Sequence, residues 1–202
     1  MPDYRDIDWD QERPTDAEVR FGWRQTRIKP LEDLEPGIRS VVAALNETHS
    51  NGGALAAQFL IEADPATRWF LCRNRLQESP FFGSFFNHEQ VAPRLIAADL
   101  PPAGEQHLGF GLENSFVAMA RLAANISQGG AYTRCPRPDV EVLRLISDFA
   151  QAAFGGRYSE ITSYVSWAPW SRWFEGVAWD GSWFWLDRQT GLATVLLVTD
   201  TD

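Results

Sequence analysis

The side chains best suited to chemistry in this chain are few: three histidines, two cysteines and a broad supply of carboxylates. His88 stands beside Glu89 in Asn87-His88-Glu89-Gln90, a pairing that could serve acid–base catalysis if both groups reached one point. Adjacent residues rarely do, and a helical zinc site would need a second histidine where Ala92 stands. Asn87 therefore reads as a cap of a short helix. His49 and His107 fall in expected loops or at element ends. Ser84, within Phe81–Phe86, lacks the flanking residues of a nucleophile elbow. Gly109-Phe110-Gly111 opens like a dinucleotide loop, but Asn114 occupies the third glycine position. Cys72 and Cys135 have no metal or redox spacing and read as free thiols.

Two acidic stretches invite thoughts of a cation: Asp6-Ile7-Asp8-Trp9-Asp10 and Thr199-Asp200-Thr201-Asp202. On an extended chain, carboxylates two residues apart stand roughly 6.5–7 Å from one another, too wide to grip one ion. The first also lacks the glycine and distal glutamate of a calcium loop. No metal and no cofactor is expected. The second stretch reads as a charged stop that keeps a strand end solvated.

The densest chemical grouping is aromatic. Six of the nine tryptophans lie between residues 167 and 185. Trp167, Trp170, Arg172, Trp173, Trp183 and Trp185, with Asp187 and Thr194, make up the candidate binding set. Such a cluster can be a small core beneath helices, a protein interface anchored by Trp and Arg, or a stacking platform for a sugar or planar ligand.

These residues must be positioned by elements whose pattern changes along the chain. Residues 1–14 are acidic and poor in aliphatics, which predicts a loosely held arm ahead of one α+β domain over 15–202. Thr15 and Glu18 have capping-box spacing, whereas Val19, Phe21 and Trp23 alternate and favour a strand. Helices are expected mainly within 31–155. One carries Ile38, Val41, Val42 and Leu45, and another starts at Asp64-Pro65. A third has an inward stripe of Phe116, Met119, Ala120, Ala123 and Ile126, and a fourth opens at Asp139.

From residue 158 to 199 the period becomes that of strands, predicting an antiparallel meander of three to four. Asp180-Gly181 is the strongest hairpin signal and would join a strand over 174–179 to one over 182–187. A four-residue loop, Arg188–Gly191, then pairs Trp185 with Thr194 and Phe184 with Val195. This register puts Phe184, Leu186, Ala193, Val195 and Leu197 on one face, with Trp183, Trp185, Asp187, Thr194 and Leu196 on the other. Both faces are largely apolar. The helices are expected to cover one, leaving the other for further chain, a ligand or a partner.

The formal charge of −9 argues against general nucleic-acid binding, which requires a positive surface. Arg20, Arg24 and Arg27 are expected to pair with Glu32, Asp33 and Glu35. No apolar run is long enough to span a membrane, and no secretory leader opens the sequence, so a cytoplasmic location is the expectation. Two function classes remain. The first is a non-enzymatic protein-binding module whose aromatic sheet face engages a basic partner. In size and charge, though in no motif, the chain is similar to small acidic bacterial proteins that neutralise a basic toxin. The second is a small-ligand or carbohydrate-binding protein, or a carboxylate-dependent enzyme, with a pocket lined by Trp183, Trp185, Asp187 and Thr194. Partner identity and oligomeric state are not legible in the sequence.

Overall fold

The computed structural model describes residues 3–95, 98, 100 and 108–202; His107 and the Pro-rich stretch before it lie outside these. The helices are α1 (Asp16–Gly22), α2 (Pro36–Asn46), α3 (Pro65–Cys72), α4 (Phe81–Phe86), α5 (Ser115–Gln128) and α6 (Asp139–Phe154). The strands are β1 (Arg27–Pro30), β2 (Gly53–Glu62), β3 (Gly111–Glu113), β4 (Ile161–Ser166), β5 (Gly181–Asp187) and β6 (Leu192–Thr199). They form one antiparallel sheet in the order β1-β2-β6-β5-β4-β3. The architecture is α+β, with a six-stranded sheet in place of the expected C-terminal meander of three to four, because β1, β2 and β3 join β4, β5 and β6 from the helical half.

Local signals explain most of the elements. The Thr15 hydroxyl and the Glu18 carboxylate form the reciprocal capping box that opens α1. That box wins over the alternation at Val19, Phe21 and Trp23, so residues 16–25 are helical and strand β1 waits until Arg27. The Asp64 carboxylate accepts from the backbone N–H of Ala66 and Thr67, with Pro65 at the first helical position of α3. Strand β2, Gly-Ala-Leu-Ala-Ala-Gln-Phe-Leu-Ile-Glu, has no clean alternation because it is covered on both sides.

The predicted hairpin at Asp180-Gly181 is not there. Residues 174–179 are not a strand, and residues 167–180 instead carry the chain from β4 to its neighbour β5. Asp180 is a loop organiser: its carboxylate accepts from the N–H of Gly176 and Val177 and from the Thr199 hydroxyl. An aspartate that satisfies turn amides gives the same sequence signal as a hairpin corner. The second predicted register holds, with Trp185 opposite Thr194 and Phe184 opposite Val195.

Each face of the sheet has its own core. On one lie Phe59, Tyr164, Phe184, Val195 and Leu197 under Tyr4, α3, α4 and Trp170. On the other, Trp183, Trp185, Leu196 and Val198 lie under α2, α5 and α6. The chain therefore covers both apolar faces by itself, which corrects the expectation that one would stay open. The segment from Phe81 to Phe86, which looks like a loop in sequence, supplies much of the first cover as α4, setting Phe81, Phe82 and Phe85 edge-on around Phe184. Asn87 does cap this helix, at its C-terminal end, donating to the Gly83 carbonyl.

Both acidic stretches are tied down. The arm before residue 15 is docked rather than loose: Tyr4 is buried and donates to the Ile61 carbonyl, and Gln11 receives the Trp69 indole N–H. Asp200 is no solvated stop. Its fully buried carboxylate accepts from the N–H of Asn51 at 2.9 Å and of Ala131 at 2.7 Å. Gly130 must be glycine here, since a Cβ would fall 2.2 Å from the Asp200 carboxylate.

Close to this clamp His49 is buried, its Nδ1 facing the Leu45 carbonyl at 3.0 Å and the Thr48 hydroxyl at 2.9 Å. Burial holds its pKa below the ordinary imidazole value of 6.5, and burial lowers that of His88 as well. Such groups bind protons more readily in the unfolded chain. Their contribution to stability is thus complete above pH 6.5 and lost as the pH falls below it. Urea unfolding at pH 7.5 and 5.5 is expected to show a loss at the lower pH, with a limiting slope of about 1.4 kcal/mol per pH unit per histidine. His49→Gln should flatten that slope; a flat profile for the native chain would contradict the assignment.

Candidate interaction surface

The sheet divides the predicted aromatic set instead of gathering it. Trp183 and Trp185 are 0% and 1% exposed on the α2–α5–α6 side, where they stack on each other at 6.4 Å. Trp170 is buried on the opposite side, donating its indole N–H to the Ser182 hydroxyl at 2.8 Å, with Trp173 at the margin of that same core. Arg172 is exposed in the crossing loop between them. Thr194 is buried and accepts from the Gln58 side-chain amide across the β2–β6 pair. Asp187 is also buried. One of its oxygens takes two bonds from Arg157, and the other accepts from the N–H of Gln189 and Thr190. Trp183, Trp185, Asp187 and Thr194 are thus all buried, the two indoles beneath α2, α5 and α6.

Trp167 is the exception. It stands half-exposed, edge-on to Trp183 at 5.4 Å, with the Arg121 guanidinium 5.9 Å above its ring. Arg121 leads onto the outer face of α5. This 14-residue helix, Ser-Phe-Val-Ala-Met-Ala-Arg-Leu-Ala-Ala-Asn-Ile-Ser-Gln, carries one charge, and Arg121 spends it on Glu113 at 3.1 Å. Its solvent face presents Phe116 (65% exposed), Val117, Ala120 and Ala124. Across a shallow groove floored by Ala123 and Val142, α6 adds Val140 and Leu143, the latter 62% exposed. Phe116 is braced from behind by Tyr158, their rings parallel at 4.8 Å. Burial pushes the Tyr158 phenol above its ordinary pKa, so the stack stays uncharged at neutral pH.

Among the described residues, seven of the ten exposed large apolar side chains fall between residues 112 and 167: Leu112, Phe116, Val117, Tyr132, Val140, Leu143 and Trp167. Of the charged residues, Asp139 lines the groove itself. Asp139, Glu141, Arg144 and Asp148 are all exposed on α6 and take part in no ion pair among the described residues.

The sequence places this face only in part. Of the expected inward stripe, Met119 and Ile126 are buried and Ala123 is half-buried, but Phe116 and Ala120 are exposed, and Ser115, Ala118, Leu122 and Asn125 complete the buried side. In an alanine-rich helix the contrast between faces is low, and two buried polar residues blur it further. The Ser115 hydroxyl donates to the Ile161 carbonyl of β4, anchoring the helix in the rotation that turns Phe116 outward. The near absence of charge over 14 residues is the signal that could have marked α5.

The arginine stripe also resolves differently. Among the described residues Glu32 pairs with Arg94, and no ion pair joins Arg20, Arg24 or Arg27 to Glu32, Asp33 or Glu35. No group of three or more metal-ligating side chains gathers among the described residues, and no helix there is long and apolar enough to cross a membrane. The geometry defines an α+β domain with a sheet covered on both faces and a helical hairpin whose outer side is apolar. No protein-family model and no curated protein sequence matches the chain.

Proposed function

We propose that this protein is a binding module that docks a basic protein partner on the outer face of α5 and α6. The observation that carries the reading is the uncharged outer side of α5, continuous with Val140 and Leu143 and bordered by Trp167. Solvent-facing helices ordinarily carry charge there, and contiguous apolar patches on monomers mark interaction sites. Charge chooses the occupant. The net charge of −9, with Asp139 in the groove itself, favours a cationic partner and disfavours a second copy of this chain. Phe116, Leu143 and Trp167 would anchor the complex, and the net negative charge would speed encounter.

The test compares the native chain with Val117→Asp/Leu143→Asp, two exposed positions whose change should leave the fold intact. A partner captured from native lysate is expected to be basic, to release in high salt, and to bind the double variant at least about tenfold more weakly. Partners indifferent to both salt and the variant would refute the proposal. So would a dimeric mass of the isolated protein that the variant abolishes, since a second copy would then own the face.

A further inference from the structure

We propose that a second site, independent of the α5–α6 surface, binds a nucleoside phosphate in the cleft between the N-terminal arm and the end of α3. The cleft has a volume of about 430 Å³, and Trp9, Trp69, Arg73, Asn74, Arg75 and Arg188 line it. Three arginines line it in a chain of net charge −9, and no carboxylate is among the described residues lining the cleft.

The sequence builds this arrangement through the end of α3. Asn74 has φ +56°, the one non-glycine residue with positive φ among those described. Its N–H donates to the Leu71 carbonyl and that of Arg75 to the Phe70 carbonyl, the paired bonds of a left-handed helix stop. Glycine usually fills that position. Asparagine here also accepts from the Thr162 hydroxyl at 2.7 Å, which pins the turn to β4 and fixes the directions of Arg73 and Arg75. The Asn74 amide N–H groups make no hydrogen bond among the described residues.

Two of the three cations keep donors to spare, while Arg75 pairs with Glu78 at 3.2 Å through its Nε. Arg73 donates to the Trp69 and Asp8 carbonyls and joins no ion pair among the described residues. Arg188 donates to the Ser159 carbonyl at 3.2 Å and meets Glu160 at a long 3.7 Å, and its buried Nε has no hydrogen-bond partner there. Guanidinium groups with free donors suit the oxygens of a phosphate. The planar half of the ligand has its own surface. The Arg73 guanidinium lies 4.4 Å from the Trp69 ring and 5.7 Å from that of Trp9, and Trp9 is 77% exposed. An exposed indole beside a stacked guanidinium offers a platform for a nucleobase.

Calorimetric titration with AMP, GMP, CMP and UMP tests this, with adenosine and inorganic phosphate as the separate halves. At least one nucleotide is expected to bind saturably below millimolar concentration, with both halves at least tenfold weaker. Trp9→Ala and Arg75→Gln, both at exposed positions, should each weaken it tenfold or more, and Arg188→Gln likewise. In 1H–15N spectra the Trp9 indole signal should move while those of buried Trp183 and Trp185 stay fixed. Absence of saturable binding by all four nucleotides overturns the proposal. So does binding that Trp9→Ala and Arg75→Gln leave unchanged, or inorganic phosphate binding as tightly as the nucleotides.

Discussion

Truncating Trp185 to alanine is expected to destabilise the protein by about 3–5 kcal/mol, the range for removing a buried aromatic from a well-filled core. The ring is 1% exposed and touches Phe149 edge-on at 5.1 Å, Phe154 at 6.0 Å and the Trp183 indole at 6.4 Å. Helices α2 and α6 both pack on this side, so the hole would open at the seam between sheet and helices. Trp185→Phe should behave differently. The indole N–H is buried without a hydrogen-bond partner among the described residues, an arrangement that costs about 1–3 kcal/mol of desolvation. Phenylalanine keeps most of the apolar area and removes that group, so the change is expected to stay within about 1 kcal/mol. Equilibrium urea unfolding of both variants separates the effects. Equal losses would show that the indole nitrogen, and not the ring, is what the core requires.

Replacing Asp187 by alanine should cost about 3 kcal/mol or more, because it strands several groups that the carboxylate satisfies. The side chain is fully buried, and it holds Arg157 through one oxygen and the Gln189 and Thr190 amides through the other. Arg157 is 39% exposed and can return to water, which keeps the loss near the lower end of the range for broken buried pairs. The turn amides have no such escape. Thermal unfolding of Asp187→Ala measures this directly. A variant as stable as the parent would mean that the aspartate is not what builds the turn, and would reopen carboxylate chemistry at this position.

The sequence carried the local grammar better than the global arrangement. Capping at Thr15 and Asp64, the αL stop at Gly155 and the Arg188–Gly191 loop are contacts within a few residues, and each is written in residue types. Strand β2 is hidden because a central strand with both faces covered loses the alternation that marks a half-buried one. The N-terminal arm looks free because Tyr4 earns its place through Ile61 and Ala63, nearly sixty residues away. The alternating faces of β5 and β6 were legible. What would lie over them was not, since the α4 aromatics reach Phe184 from a hundred residues upstream. The Trp constellation fails as a single site for a simple geometric reason: crossing from β4 to β5 moves Trp170 over one side of the sheet while Trp183 and Trp185 point to the other.

Strand β6 is the last of the six in chain order, yet it sits between β2 and β5 near the middle of the sheet. During synthesis, β1–β2 on one side and β3–β4–β5 on the other must wait as two half-sheets, each with a bare apolar edge. Insertion of residues 192–199 closes both edges at once, and Asp200 then latches onto Asn51 and Ala131. Folding governed by such distant pairings is slow, and its waiting half-sheets are prone to stick to other chains. A ribosome stalled just before β6 would therefore hold a nascent chain in need of a chaperone.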